Sequence, residues 1–142
     1  MTSTPSTPPT RPLEPQQRAI ILGASSGIGA ALVRELARSG YRVAAVARRE
    51  AKLQELSDSV NTAVAPHSVT TYSHNVTDYD EIPTLFQTIV QELGGLDLII
   101  YVAGVQPSVT VDEYNFEKDR KMVEVNLLGA IAWLNQAALR FE

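Results

Sequence analysis

A short apolar run, Arg18–Leu22, leads directly into Gly23-Ala24-Ser25-Ser26-Gly27-Ile28-Gly29. A helical stretch follows, in which Ile28, Leu32 and Leu36 share one face. No other feature constrains the fold as strongly. A glycine-rich turn between a strand and a helix leaves backbone N–H groups free at the positive end of the helix, which is a site for phosphate. The segment therefore predicts a cradle for a nucleotide cofactor. Gly23 is expected to let the chain reverse, Gly27 to let the backbone approach a pyrophosphate, and Gly29 to let the helix pack close to the sheet. Ser25 and Ser26 add hydroxyl donors for phosphate or ribose. The spacing Gly-x-x-x-Gly-x-Gly differs from the usual dinucleotide fingerprint G-x-G-x-x-G.

Strands and helices then alternate. Arg42–Ala47 is an apolar run suited to a buried parallel strand. Leu53, Leu56 and Val60 mark a helix by their spacing, and Val69–Val76 is rich in β-branched residues, which predicts a strand. Over Asp80–Leu93 the residues Ile82, Leu85, Phe86, Ile89, Val90 and Leu93 trace an apolar helical stripe. Pro83 sits in its first turn and Gly94-Gly95 stops it. Leu96–Val102 reads as a further strand, interrupted by Asp97 near its start. After a loop to about Tyr114, a long helix runs to the end, apolar around much of its circumference. Strands alternating with helices predict an α/β fold, a Rossmann-like, doubly wound parallel sheet. About four strands are present, whereas a full dinucleotide fold of this kind has about six. The expectation is an incomplete fold, an N-terminal half spanning 18–142.

Composition narrows the partners. The 142 residues carry a net charge of −4 and no cysteine. This charge gives no electrostatic reason to expect nucleic acid or an anionic membrane. Without cysteine there is no thiol nucleophile, disulfide or Cys-based metal site, and no metal is expected. His67 and His74 have no partner at metal-ligand or triad spacing and read as ordinary loop or strand residues. Asp78 and Asp80 read as serving the turn and the helix start. No apolar run reads as long enough to cross a bilayer, and no secretory signal is evident, so the expectation is a cytoplasmic protein. Residues 1–17 are rich in Thr, Ser and Pro, holding five of the eight prolines, and read as a disordered tail.

Four segments, in order, resemble the short-chain dehydrogenases/reductases. They are Gly23-Ala24-Ser25-Ser26-Gly27-Ile28-Gly29, Asn75-Val76-Thr77-Asp78, the strand ending Tyr101-Val102-Ala103-Gly104, and Val125-Asn126-Leu127-Leu128-Gly129. The resemblance runs from about Arg18 to Phe141. It implies a nicotinamide cofactor held by Gly23, Ser25, Ser26, Gly27, Ile28, Gly29, Asn75, Val76, Ala103 and Gly104. It implies hydride transfer with a small carbonyl or alcohol substrate, and homo-oligomers formed through the long terminal helix. It also makes Asn126 a catalytic residue, one that interrupts helix hydrogen bonding and holds a water in a proton relay.

The end of the second strand chooses the cofactor. An NAD enzyme places an acid there to bind the ribose 2′-hydroxyl. This chain has Ala47-Arg48-Arg49 and no acid. A guanidinium pairs with a 2′-phosphate in two-pronged fashion, so NADP (NADPH) is expected, with Arg48 as main contact and Arg49 as support.

The family's Ser and Tyr-x-x-x-Lys are expected beyond Asn126 and do not occur there. Tyr114 and Lys118 match the spacing but precede Asn126, and read as coincidence. Leu22, Tyr101 and Val102 stand where the family has Thr and Asn-Asn. Losing both partners of a hydrogen bond can be nearly neutral, so an apolar contact between the first and fourth strands is expected in its place. The alternative to an oxidoreductase is a non-catalytic nucleotide-binding module or truncated fragment. A sugar-nucleotide epimerase relative would carry G-x-x-G-x-x-G, which this chain lacks.

Overall fold

The computed structural model describes residues 17–25 and 27–142. Most of the segment expected as a tail, and Ser26, lie outside the described residues. The chain alternates β1 (Arg18–Leu22), α1 (Gly27–Arg38), β2 (Arg42–Ala47), α2 (Glu50–Ala63), β3 (Val69–Ser73), α3 (Ile82–Leu93) and β4 (Leu98–Tyr101). Then come α4 (Phe116–Met122), a π-helical turn over Val123–Leu128, and α5 (Gly129–Phe141). The four strands are parallel in the order β3-β2-β1-β4. The α/β, doubly wound architecture is as expected.

Strand alternation builds two cores. Ile20, Leu22, Ala44 and Val46 face α3 and α5, packing on Phe86, Ile89 and Trp133. Ile21, Val43 and Ala45 face α1 and α2, packing on Val33, Leu53, Leu56 and Val60. Both faces of β1 and β2 are covered, which is why those strands are apolar at almost every position. Asp97 interrupts the apolar run for a reason: its carboxylate accepts from the Arg18 backbone N–H at 3.0 Å and from Arg18 Nε at 3.1 Å. This ties the start of β1 to the approach to β4.

Several boundaries and faces differ from expectation. The strand expected over Val69–Val76 ends at Ser73, because Asn75 Oδ1 accepts from the Thr77 N–H and turns the chain. A 3₁₀ turn over Tyr79–Glu81 precedes α3, and Asp78 stands at its N-cap without a side-chain cap. On α1 the fully buried residues are Gly29, Val33 and Ala37; of Ile28, Leu32 and Leu36, Leu36 packs partly against the same core, whereas Ile28 is 73% exposed. The helix must turn Gly29 inward, because a Cβ there would overlap the Gly23 carbonyl. His74 is buried. The helix through Phe116–Phe141 is, by length and composition alone, long and apolar enough to cross a membrane, contrary to the sequence reading. One side of it rests on the sheet through Val125, Gly129, Trp133 and Ala137.

Candidate functional site

Strand order reverses between β1 and β4, and in open α/β sheets ligands bind beyond the carboxyl ends of the strands at such a point. A cavity of about 400 Å³ lies there, lined by segments that follow each of the four strands. From the first come Gly23, Ser25, Ile28 and Gly29; from the second, Arg48 and Arg49; from the third, Asn75 and Val76; from the fourth, Ala103 and Gly104. Ten residues singled out from the sequence thus meet on one surface. Gly27 is not on the lining, and Asn126 stands behind it.

The turn after β1 is held by β2, since the N–H groups of Gly23 and Ala24 donate to the Val46 carbonyl at 2.9 and 3.2 Å. Gly23 has φ +90°, and a Cβ there would lie 2.5 Å from the Ala103 nitrogen. Both the reversal and the close approach of the β4 exit therefore require glycine. Gly27 has φ +57° and open space where a Cβ would be.

The cavity is cationic. Arg48 and Arg49 are exposed, neither has an ion pair among the described residues, and no described lining residue is Asp or Glu. The side chain of Asn75 spends Oδ1 on its own turn, accepting also from Thr77 Oγ1 at 2.8 Å.

The comparisons with known proteins agree with this geometry. The family model for short chain dehydrogenase matches residues 17–141. This chain belongs to the short-chain dehydrogenase family. An uncharacterized oxidoreductase of Staphylococcus haemolyticus is 35% identical over 124 residues, which is 87% of this chain and 52% of that protein. A second, from Staphylococcus epidermidis, is 32% identical over 123 residues, covering 87% of this chain and 51% of the relative. Among solved structures, an actinorhodin polyketide ketoreductase with NADPH superposes with TM-score 0.78 at 28% identity, over 85% of this chain and 46% of that one. An alcohol dehydrogenase from the archaeon Thermococcus sibiricus, complexed with 5-hydroxy-NADP, gives TM-score 0.79 at 28% identity, over 87% and 52%. The chain spans about half the length of these relatives.

As a short-chain dehydrogenase family chain, it departs from pattern at Leu22, Tyr101 and Val102. Leu22 and Tyr101 are register partners on β1 and β4, and both belong to the α3–α5 core. Asn126 lies within the π-helical turn. Its Oδ1 accepts from the Val105 N–H at 2.8 Å, and its Nδ2 donates to the Val105 carbonyl at 3.0 Å. Val105 lines the cavity, as do Val125 and His74, none of which was singled out from the sequence as a site residue. Val125 was within reach as the neighbour of Asn126; Val105 carries no signal beyond following Gly104. The Asn126→Ala variant is expected to raise the exchange rate of the Val105 amide about tenfold, read by NMR hydrogen exchange.

Tyr114 is 96% exposed, and Lys118 is engaged elsewhere, so their spacing makes no pair. Lys118 Nζ donates to Glu113 at 2.8 Å and to the Ser108 carbonyl at 2.6 Å. The hydrogen bond from Lys118, then that from the Thr110 N–H, holds the Glu113 carboxyl below the usual carboxylate range. A lowered carboxylate pKa stabilises the folded loop above the unfolded value and loses that effect as pH falls through the folded one. Protection of the Thr110 amide is therefore expected at neutral pH and should fade only as pH falls below the usual carboxylate range, through the lowered folded value. Unchanged protection after the carboxyl has been fully protonated would contradict it.

Proposed function

We propose that the chain is the cofactor-holding part of an NADP(H)-dependent oxidoreductase. In the whole protein, hydride passes between the nicotinamide and a carbonyl or alcohol carbon of a small-molecule substrate. One observation carries the choice of cofactor: Arg48 stands at the end of β2 on the same cavity as the glycine turn, and among the described residues it has no ion pair and no carboxylate lines that cavity. A carboxylate there would repel a 2′-phosphate, whereas a guanidinium attracts it. The NADPH and 5-hydroxy-NADP named with the two solved structures support the same reading.

The residues fit such a group. The space that a Cβ would fill at Gly23 and Gly29 is taken by backbone, so the turn closes tightly at the helix start, where a pyrophosphate is favoured. Ser25 and Ser26 would donate hydroxyls to it, and Ile28 lines the same cavity as Ser25. Arg48, supported by Arg49, would pair with the 2′-phosphate. Asn75 Nδ2 and the Val76 backbone would flank the adenine, and the Ala103-Gly104 backbone would pass along the ribose. When bound, the cofactor supplies the hydride. Asn126 orders the Val105 backbone beside it and is the family's candidate for holding a relay water.

The outer side of the terminal helix exposes Val123, Leu127, Ile131 and Leu134, a stripe suited to a second copy of the protein. Calorimetric titration with NADPH and NADH tests the proposal, and NADPH should bind more tightly. Binding of neither would sink the cofactor assignment, and tighter NADH would overturn the role of Arg48. A hydride-transfer assay on these 142 residues should show no turnover, because Ser and Tyr-x-x-x-Lys do not follow Asn126 within them.

A further inference from the structure

A π turn displaces backbone carbonyls from their ordinary i→i−4 donors. Here two phenols from outside the helix donate to consecutive carbonyls of that turn. Tyr79 Oη donates to the Glu124 carbonyl at 3.1 Å, which also accepts from the Gly129 N–H. Tyr101 Oη, at the end of β4, donates to the Val125 carbonyl at 2.5 Å. Gly129 makes room for it, since a Cβ at Gly129 would overlap that hydroxyl. The next residue, Asn126, grips both backbone groups of Val105, and Val105 and Val125 face the same cavity.

We propose that Tyr101 is a positioning residue: its hydroxyl, bonded to the Val125 carbonyl and admitted by Gly129, holds the π-helical register that places the Asn126 amide on Val105. The cofactor consequence rests on the NADP(H) reading of the cavity. Tyr101 stands at a position where the chain departs from the family pattern, and its partner strand offers only Leu22. Its polar group therefore turns away from β1 toward the helix. The end of β4 and the helix are thereby joined twice, once through Tyr101 to Val125 and once through Asn126 to Val105. Both links bear on the wall of the cavity.

The test is Tyr101→Phe in the full chain, which removes one oxygen and keeps the ring. The Val105 amide is expected to exchange about tenfold faster, while amides of β1 and β2 stay within about twofold. NADPH affinity should fall about three- to tenfold. Unchanged Val105 exchange, uniform acceleration of all amides, or failure to fold would each overturn the positioning role. Gly129→Ala supplies a second measurement, because its methyl competes with the hydroxyl for space. It should speed Val105 exchange more in the parent chain than in the Tyr101→Phe background, and equal effects in both would overturn the proposal. The two readings fail separately. If Val105 responds as expected but neither NADPH nor NADH binds, the cofactor reading falls and the hydrogen-bonded positioning stands. If NADPH binds and Val105 does not respond, the positioning falls alone.

Discussion

Replacing Arg48 with alanine is expected to weaken NADPH binding about 10- to 100-fold and to leave NADH binding within about threefold. The backbone at this position is fixed: the Arg48 carbonyl accepts from Ser73 Oγ at 3.2 Å, which joins the exits of β2 and β3. The guanidinium has no ion pair among the described residues, so no internal partner must be given up when a phosphate arrives. A charge-assisted hydrogen bond contributes about 1.5–3 kcal/mol, and a two-pronged contact lies toward the upper end. NADH has no 2′-phosphate and loses nothing comparable. Arg49→Ala should cost NADPH only about threefold if, as proposed, Arg49 supports the contact that Arg48 makes. The Arg48 effect should also shrink at high salt, because the site is open to solvent. Calorimetry on parent and variant with both cofactors measures this, and equal losses for NADPH and NADH would remove Arg48 from phosphate recognition.

Trp133→Ala should destabilise the fold by about 3–5 kcal/mol. This is a large share of the roughly 5–15 kcal/mol that holds a domain together. Trp133 is fully buried and is the chain's only tryptophan. Its ring meets the edge of Phe86 at 6.4 Å and that of His74 at 5.5 Å, with interplanar angles of 61° and 77°. It thus fastens α5 to α3 and to the segment that carries Asn75 and Val76, so cofactor affinity should fall along with stability. Trp133→Phe should be milder. It keeps an aromatic filling and removes the Nε1–H, a buried donor without a hydrogen-bond partner among the described residues. Urea unfolding followed by circular dichroism reads both variants, since the substitution removes the fluorophore. A loss below about 1 kcal/mol for Trp133→Ala would show that the cavity collapses without penalty.

Much of the candidate site was legible because its parts are local. The strand-turn-helix around Gly23–Gly29, the exit Arg48-Arg49 and the segment Asn75-Val76 are each read from a few adjacent residues. Parallel connectivity then requires their meeting, because each strand ends on the same edge of the sheet. Helix faces were less legible where sterics override hydrophobicity. Ile28 is more apolar than Gly29, yet Gly29 turns inward because only a hydrogen fits against the Gly23 carbonyl. His74 read as an ordinary residue, and its burial against Trp133 joins positions 59 residues apart.

The sequence by itself determined the α/β class, the glycine turn between β1 and α1, the cationic end of β2 and the family, because each rests on residue type and short spacing. Tertiary structure alone decided that Asn126 clamps Val105 and that Tyr101 and Tyr79 donate to the carbonyls of the π turn. These contacts join residues 21 to 45 positions apart, and no local periodicity encodes which backbone group a distant side chain will find unpaired.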